Sequence, residues 1–215
     1  MTELYASALH LDRKAVKALK ITDPYSLHRV VYSLFPDVRT EAEKQSHIQS
    51  GFVYADKGGD FHSRKVLIVS NRAPLEQVEG LYGDVISKSI TTSFLEHPRY
   101  HFKVQINPVR KDKQTGKRVA VKGRTNTADW FIQRAPKNWG FEVDPQHLQI
   151  DAIEVLQFND KSGRRITLGK AHIQGQLTVT DPQQFQNSFK NGIGKGRAFG
   201  CGLLQIVPII DNPFA

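Results

Sequence analysis

Cysteine is almost absent from this chain of 215 residues, which contains only Cys201. A single cysteine forms no internal disulfide, so the class of small disulfide-stabilised secreted domains is excluded and a reducing, cytoplasmic location is predicted. No stretch approaches the roughly 18 apolar residues that a membrane-spanning helix needs. The N-terminus lacks the basic and then apolar layout of a signal peptide. We therefore expect a cytosolic globular protein that buries its core without crosslinks.

The common motifs of metal, nucleotide and nucleophile sites are missing as well. The eight histidines form no H-E-x-x-H motif, no C-x-x-C pair exists, and Pro98 interrupts the spacing of His97 and His101. No metal site is therefore predicted. No G-x-S-x-G motif is present, and Cys201 has no histidine near it in the sequence, so nothing supports a protein nucleophile. Any chemistry is expected to be acid–base catalysis without metal or cofactor.

Acidic residues are outnumbered by basic ones. The chain has 30 Lys and Arg against 21 Asp and Glu, which gives a net charge of +9. The excess is concentrated in three segments, residues 109–124, 161–170 and 190–200. This pattern favours a polyanionic partner such as a nucleic acid, although basic surfaces also occur on proteins that bind none. No stretch is both basic and amphipathic with aromatics on its apolar face, which argues against a membrane surface.

The order of predicted elements is similar in the two halves of the chain. Residues 1–95 are predicted as strand, helix, strand, strand and a weaker last strand. Residues 96–215 follow the order β-α-β-β-α-β, which is typical of ferredoxin-like domains. In this second half, Asn126 or Thr127 is predicted to cap the first helix, and Asp181 with Pro182 to begin the second. The predicted fold is α+β, with two tandem ferredoxin-like (RRM-like) domains.

The segment DPYSLHRVVYSLFPD, residues 23–37, predicts a short helix with two faces. Asp23 is a suitable N-cap and Pro24 suits the first turn. Leucines and valines cluster on one side at helical spacing. The opposite side carries a polar stripe: Tyr25, His28, Arg29 and Tyr32.

The polar stripe has two interpretations. An imidazole with a pKa near 6.5 can exchange protons around neutral pH, so His28 is a candidate acid–base catalyst. Arg29 could hold a phosphate, and Tyr25 could orient the imidazole. The alternative interpretation is a solvated helix face that carries one histidine.

The segment NGIGKGRAFGCGLL, residues 191–204, is rich in glycine and also basic. Closely spaced glycines let a backbone approach phosphates, which favours contact with a nucleic-acid strand. A helix C-cap followed by a bulge is the structural alternative, and it accounts for two glycines more readily than for five. Neither nucleotide-binding fingerprint fits the spacing. The residues concerned are Gly192, Gly194, Lys195, Gly196, Arg197, Gly200 and Gly202.

Taken in order, these segments resemble the CasE (Cse3) family of CRISPR repeat-processing endoribonucleases. DPYSLHR at 23–29 is similar to the helix that bears the family's catalytic histidine. INPVRK at 106–111 and TGKRVAVK at 115–122 resemble the strand and basic segment that follow. GIGKGRAFGCGLL at 192–204 is similar to the C-terminal glycine-rich signature and is the most specific motif. The resemblance covers nearly the whole chain.

The resemblance implies a stem-loop RNA substrate and one cut at the 3′ base of the stem. The ribose 2′-OH would be the nucleophile, and the products would carry a 2′,3′-cyclic phosphate and a 5′-OH. His28 would be the catalytic histidine and Tyr25 its neighbour. The family also places a lysine near the phosphate, for which Arg164, Arg165 and Lys170 are the candidates here. The product would be kept and passed to subunits of a Cascade-like effector complex.

Basic side chains are expected to follow the RNA backbone, because the deep groove of A-form RNA hides the base edges. The expected RNA contacts outside the glycine-rich segment are Arg29, Lys103, Lys117, Arg118, Lys122 and Arg134. Where family members tend to carry an arginine, this chain has Gln105.

Two alternative functions stay open: a non-catalytic RRM-like RNA-binding module and a metal-dependent nuclease.

Overall fold

The computed structural model describes residues 3–36, 40, 50–59 and 63–210. Four α-helices in these residues are α1 (Arg13–Ala18), α2 (Pro24–Ser33), α3 (Arg124–Asn138) and α4 (Pro182–Asn191). The strands of the first half are β1 (Leu4–Asp12), β2 (Phe52–Gly59), β3 (Ser63–Ser70) and β4 (Asp84–Ile90). Those of the second half are β5 (Arg99–Ile106), β6 (Val109–Lys111), β7 (Arg118–Ala120), β8 (Phe141–Val143), β9 (Gln149–Asn159), β10 (Arg165–Val179) and β11 (Gln205–Pro208). Two 3-10 turns span Thr92–Leu95 and Arg197–Phe199.

The first sheet has the strand order β2-β3-β1-β4, and all its pairs are antiparallel. This is the ferredoxin-like order, in which the first strand lies between the third and the fourth. The fully described segment between β3 and β4 contains no helix, so this lobe lacks the second helix of the pattern. The short helix α1, which the sequence did not predict, begins where the Asp12 carboxylate accepts a hydrogen bond from Ala15 N at 2.6 Å.

The second sheet repeats the same order as β11-β5-β10-β8, with β9 also paired to β10. The long strand β10 pairs with β9 in its first part and with β8 in its last three residues. The prediction of two ferredoxin-like domains is thus confirmed. The predicted boundary at residue 95 stays a prediction, although the turn Thr92–Leu95 lies between the two sheets.

One predicted helix start is wrong. Helix α3 begins at Arg124, with Gly123 at the N-cap position in a backbone conformation of φ 85°. Thr127 lies inside the helix and is fully buried, and the Asn126 amide donates to Lys122 O instead of capping. The backbone at position 123 has a positive φ, which glycine adopts more readily than other residues. The helix therefore begins directly after Gly123, before the predicted caps.

Three apolar clusters hold the fold together. The largest joins the outer face of the first sheet, including Val53 and Val69, to the aromatic core of the second lobe. The second lies between α2 and the inner face of the first sheet. The third is small and consists of Phe158, Leu168 and Cys201, with Tyr25 and Phe199 packed against it. This third cluster brings α2, the β9–β10 hairpin and the glycine-rich segment to one place. No described helix has the length and apolar character needed to cross a membrane.

Candidate active site

Helix α2 is built as its sequence predicts. The Asp23 carboxylate accepts a hydrogen bond from Ser26 N at 2.7 Å, and the Ser26 hydroxyl accepts one from Asp23 N at 3.0 Å. These reciprocal bonds form a capping box that fixes the first turn, and Pro24 follows the cap. Leu27 and Val31 are buried on one side of the helix. The cap and the buried face therefore fix the position of the helix backbone from which His28 projects.

His28 is half-buried and is held by the glycine-rich segment. Its Nδ1 lies 2.8 Å from the carbonyl oxygen of Ala198, in the 3-10 turn Arg197–Phe199. A carbonyl oxygen only accepts hydrogen bonds, so Nδ1 must carry the proton. The other ring nitrogen, Nε2, is then the atom that gains or loses a proton. The structure thus fixes the tautomer that acid–base catalysis at Nε2 requires.

Aromatic rings surround the imidazole. The Tyr32 ring centroid lies 3.9 Å from that of His28, and the centroids of Phe199 and Tyr25 lie at 5.9 and 6.0 Å. Burial lowers the pKa of His28 below 6.5, and the hydrogen bond to Ala198 offsets part of that effect. The neutral ring is therefore favoured at pH 7 before any anion binds. Tyr25, His28 and Tyr32 of the polar stripe therefore form a packed group, whereas Arg29 is exposed.

The five glycines of the glycine-rich segment all adopt positive φ angles, from 73° to 91°. An added Cβ at Gly192 would lie 2.7 Å from Val53 Cγ2, and one at Gly202 would overlap the carbonyl oxygen of Ile193. Backbone conformation and close packing therefore account for every glycine, more than the two that a cap and bulge explain. The turn that carries Ala198 depends on these glycines.

Two glycines do not fit the predicted contact with RNA. Gly200 and Gly202 are buried, and their amides donate within the chain to the carbonyls of Arg197 and Gln105. Burial and these internal bonds leave neither amide available to a nucleic-acid strand in this conformation, so the structure does not support RNA contact at these two positions. Gly192, Gly194 and Gly196 are partly exposed, and Lys195 is exposed. Arg197 is partly exposed and its guanidinium donates to Asn191 O at 2.8 Å.

The three candidate cations are placed differently. Arg164 and Arg165 are exposed at the turn between β9 and β10, where Arg164 Nε lies 3.3 Å from Asp160 and Arg165 donates to Gln157. The Lys170 side chain is only 12% exposed, and its Nζ lies 3.7 Å from a Glu154 carboxylate oxygen.

Lys170 also lies close to Cys201, beside the cluster that includes Tyr25. Burial raises the pKa of the Cys201 thiol to about 12, and the positive charge of Lys170 opposes part of this rise. The thiol stays protonated at neutral pH, which agrees with its having no role as a nucleophile. Of the three candidates, Lys170 is the one with a mostly buried side chain, and it lies two residues along β10 from Leu168 of the cluster that Tyr25 packs against.

Several predicted RNA contacts come together on one basic surface. The Arg134 guanidinium lies over the Trp130 ring at 5.2 Å, and Trp130 Nε1 donates to Val109 O at 3.1 Å, which ties α3 to the β6–β7 hairpin. A cavity of about 530 Å³ is lined by Arg118, Arg134, Lys195 and Gly194 among others. An adjoining cavity is lined by Lys122 and Arg134. Lys117 lies in the exposed turn of the hairpin. We call the basic residues of this region the basic surface: Arg110, Lys111, Lys117, Arg118, Lys122, Arg134 and Lys195.

Two predicted contacts lie elsewhere. Lys103 points to the face of β5 opposite Phe102, whose ring stacks on Phe131 of α3 at 5.6 Å. It is therefore separated from the basic surface by the sheet. The Arg29 guanidinium donates to Leu19 O at 2.8 Å and thus ties α2 to the end of α1.

Gln105 is buried and donates to Asp56 O at 2.8 Å, so it links the lobes.

Sequence reasoning missed the Ala198 carbonyl and Tyr54. The Tyr54 hydroxyl donates to the same carbonyl at 2.7 Å. The pair His28 and Ala198 is 170 residues apart in the chain, and a backbone carbonyl has no signature in a single sequence. Within the described ranges, no group of three His, Cys, Asp or Glu side chains is arranged to hold a metal ion.

Comparisons with known proteins identify the family of this chain. The family model described as CRISPR associated protein matches residues 4–208. The chain belongs to the CasE (Cse3) family of CRISPR-associated proteins. It is 32% identical over 119 residues to the CRISPR-associated endoribonuclease Cse3 of Thermus thermophilus, an alignment that covers 51% of this chain and 56% of that relative. It therefore spans little more than half the length of that CasE relative.

Two further likenesses extend over nearly the whole chain. The CRISPR system Cascade subunit CasE of Escherichia coli is 22% identical over 211 residues, which cover 94% of this chain and 100% of that relative. A structure of the CRISPR endoribonuclease Cse3 bound to 19 nt RNA has a TM-score of 0.79 at 22% identity, with 96% of this chain and 100% of that chain covered. The structural likeness supports the two-lobed CasE fold.

Proposed function

We propose that this CasE family protein is an endoribonuclease that cuts CRISPR precursor RNA at the 3′ base of each repeat stem-loop. The products carry a 2′,3′-cyclic phosphate and a 5′-OH. The observation that carries the proposal is the half-buried His28, whose Nδ1 is fixed by Ala198 O at 2.8 Å and whose Nε2 is left for proton exchange. The Thermus thermophilus relative, which is named an endoribonuclease, supports the same activity.

The reaction needs no protein nucleophile. The ribose 2′-oxygen forms a bond to the phosphorus while the bond from phosphorus to the 5′-oxygen breaks. The 2′-OH loses its proton and the leaving 5′-oxygen gains one, so the two transfers balance. His28 takes the first proton or gives the second, and Tyr25 is the neighbouring group. Positioned acid–base groups contribute about 10²- to 10⁴-fold to a rate.

The charge that develops on the phosphate needs a nearby cation. We assign this role to Lys170, because its side chain is mostly buried near the cluster that contains Tyr25 and Phe199. Its partner Glu154 keeps the ammonium in place, and an approaching phosphate would compete for it. Arg164 and Arg165, which lie exposed at the β9–β10 turn, are the less suitable candidates.

The basic surface binds the stem of the RNA in this proposal. Arg118, Lys122 and Arg134 with Lys117 and Lys195 present ammonium and guanidinium groups around α3 and the β6–β7 hairpin. Phosphate contacts of this kind recognise an A-form stem by its shape. Because the Escherichia coli relative is named a Cascade subunit, we also propose that the protein keeps its product RNA and joins a Cascade-like effector complex in the cytoplasm.

The test is cleavage of a repeat stem-loop RNA in the presence of EDTA, with the product ends mapped. We expect one cut and a 2′,3′-cyclic phosphate, and His28→Ala should lower the single-turnover rate at least about 100-fold while RNA binding persists. The matched control is His10→Ala, because His10 is exposed on β1, where it lies opposite Lys65 of β3 and Asp84 of β4. Binding without cleavage by the wild type would favour the RNA-binding module, and activity that returns only with Mg²⁺ would favour a metal-dependent nuclease.

A further inference from the structure

Tyr54 shares a hydrogen-bond acceptor with His28. It lies on β2 with only 1% of its surface exposed, and its hydroxyl donates to Ala198 O at 2.7 Å. His28 Nδ1 donates to the same oxygen at 2.8 Å. A carbonyl oxygen has two lone pairs, and these two donors occupy both of them. The two side chains therefore meet at one backbone atom.

The turn that carries Ala198 is held by short backbone bonds and by the Phe199 ring, which packs against Phe158 at 4.8 Å. Gly196 and Gly200 flank it in left-handed conformations, with φ of 82° and 77°. Inside the turn, Phe199 N donates to Gly196 O at 2.9 Å and Gly200 N donates to Arg197 O at 3.3 Å. Glycines leave a backbone more conformational freedom than other residues. A rigid side chain from a neighbouring strand can remove this freedom.

Tyr54 has the required rigidity. Its ring belongs to the apolar cluster beneath α2, and an added Cβ at Gly200 would lie 3.2 Å from its Cε2 atom. Burial raises the pKa of Tyr54 well above 10, so the hydroxyl keeps its proton and stays a donor at any working pH. Because the hydroxyl is buried, it reaches no substrate itself.

We propose that Tyr54 is a positioning residue for His28: its hydroxyl fixes the Ala198 carbonyl, and this carbonyl fixes the tautomer and the orientation of the imidazole. The inference rests on the proposed function, in which Nε2 of His28 moves the proton. It assigns to a buried tyrosine of the first lobe a part in aligning a turn that belongs to the second.

The test is Tyr54→Phe, which removes one oxygen atom and keeps the ring that packs against Gly200. Ala198 O can still accept a hydrogen bond from His28, so the variant removes one of the two donors and not both. We expect the single-turnover cleavage rate to fall about fivefold, as for the loss of one hydrogen bond, with the RNA dissociation constant changed less than about twofold. In nitrogen NMR spectra, His28 should change from a single Nδ1–H tautomer to a mixture.

Tyr100→Phe is the matched control. Tyr100 is fully buried in the second lobe, and its hydroxyl also donates to a backbone carbonyl, Phe94 O, at 2.8 Å. Both variants should lower the melting temperature, but only Tyr54→Phe should change the tautomer and the rate. The proposal is overturned if Tyr54→Phe leaves the His28 tautomer unchanged, or if Tyr100→Phe changes it equally. The NMR measurement needs no RNA, so it separates a failure of this inference from a failure of the proposed activity.

Discussion

Gly202 offers a quantitative test of the glycine-rich segment. It lies at φ 91°, and an added Cβ would overlap the carbonyl oxygen of Ile193. Its amide donates to Gln105 O at 2.6 Å, and its carbonyl accepts from Ile193 N at 2.9 Å. In Gly202→Ala the backbone must move, which strains both bonds. The left-handed conformation costs about 1–2 kcal/mol and each bond about 1 kcal/mol, so we expect a loss of about 3 kcal/mol in unfolding free energy.

The control for Gly202→Ala is Gly163→Ala. Gly163 lies in the β9–β10 turn at φ 78°, and an added Cβ there meets no atom within 4 Å. This variant has the backbone cost alone, so we expect a loss of about 1 kcal/mol. The difference between the two variants isolates the steric clash with Ile193 from the cost of the positive φ.

Denaturant and thermal unfolding measure this difference. For a chain of this size, about 1 kcal/mol shifts the melting temperature by roughly 2–4 °C, so Gly202→Ala should melt roughly 6–12 °C below the wild type. Cleavage assayed well below that melting temperature should also fall, because the displaced segment carries the Ala198 carbonyl that holds His28. Equal destabilisation by Gly202→Ala and Gly163→Ala would refute the reasoning.

Two further predictions concern charge. His28 is protonated less readily in the folded state than in the unfolded state, so folding stability should decrease as pH falls from about 7 through the unfolded pKa of 6.5, and His28→Ala should flatten this slope in urea titrations. A slope that is unchanged in the variant would contradict the buried neutral imidazole. Arg134→Ala should weaken stem-loop RNA binding and reduce its salt dependence, whereas Lys103→Ala, on the opposite sheet face, should change neither. Equal effects would place RNA on both faces.

Local patterns in the sequence were sufficient for the helices that begin with Asp and Pro. The caps at Asp23 and Asp181 are confirmed, because each is a short-range bond between a carboxylate and the amide three residues further on. The predicted start of α3 is wrong, because the helix begins after Gly123, which has no side chain that could cap it. The short strand β8 was not predicted, since it has three residues and depends on its pairing with β10.

The candidate site could be predicted only in part, since its decisive contacts are between distant parts of the chain. His28 and the glycine-rich segment were each found from their own residues. What joins them is a bond from a side chain to a backbone carbonyl, and such a bond leaves no trace in composition or spacing. The same holds for Lys103, whose charge suggests RNA contact but whose position in β5 turns it away from the basic surface.

The site exists only where the two lobes meet. Helix α2 and Tyr54 come from the first lobe, while Ala198 and Lys170 come from the second. The buried Gln105 side chain joins the lobes by donating to Asp56 O. The backbone carbonyl of Gln105 accepts a hydrogen bond from Gly202 N at 2.6 Å. One residue thus couples the interface between the lobes to the loop that orients the imidazole. A shift of one lobe against the other would move the Ala198 carbonyl relative to α2, and with it the proton on Nδ1. The tautomer of His28 therefore depends on contact between the lobes, because neither lobe alone contains both the imidazole and the Ala198 carbonyl.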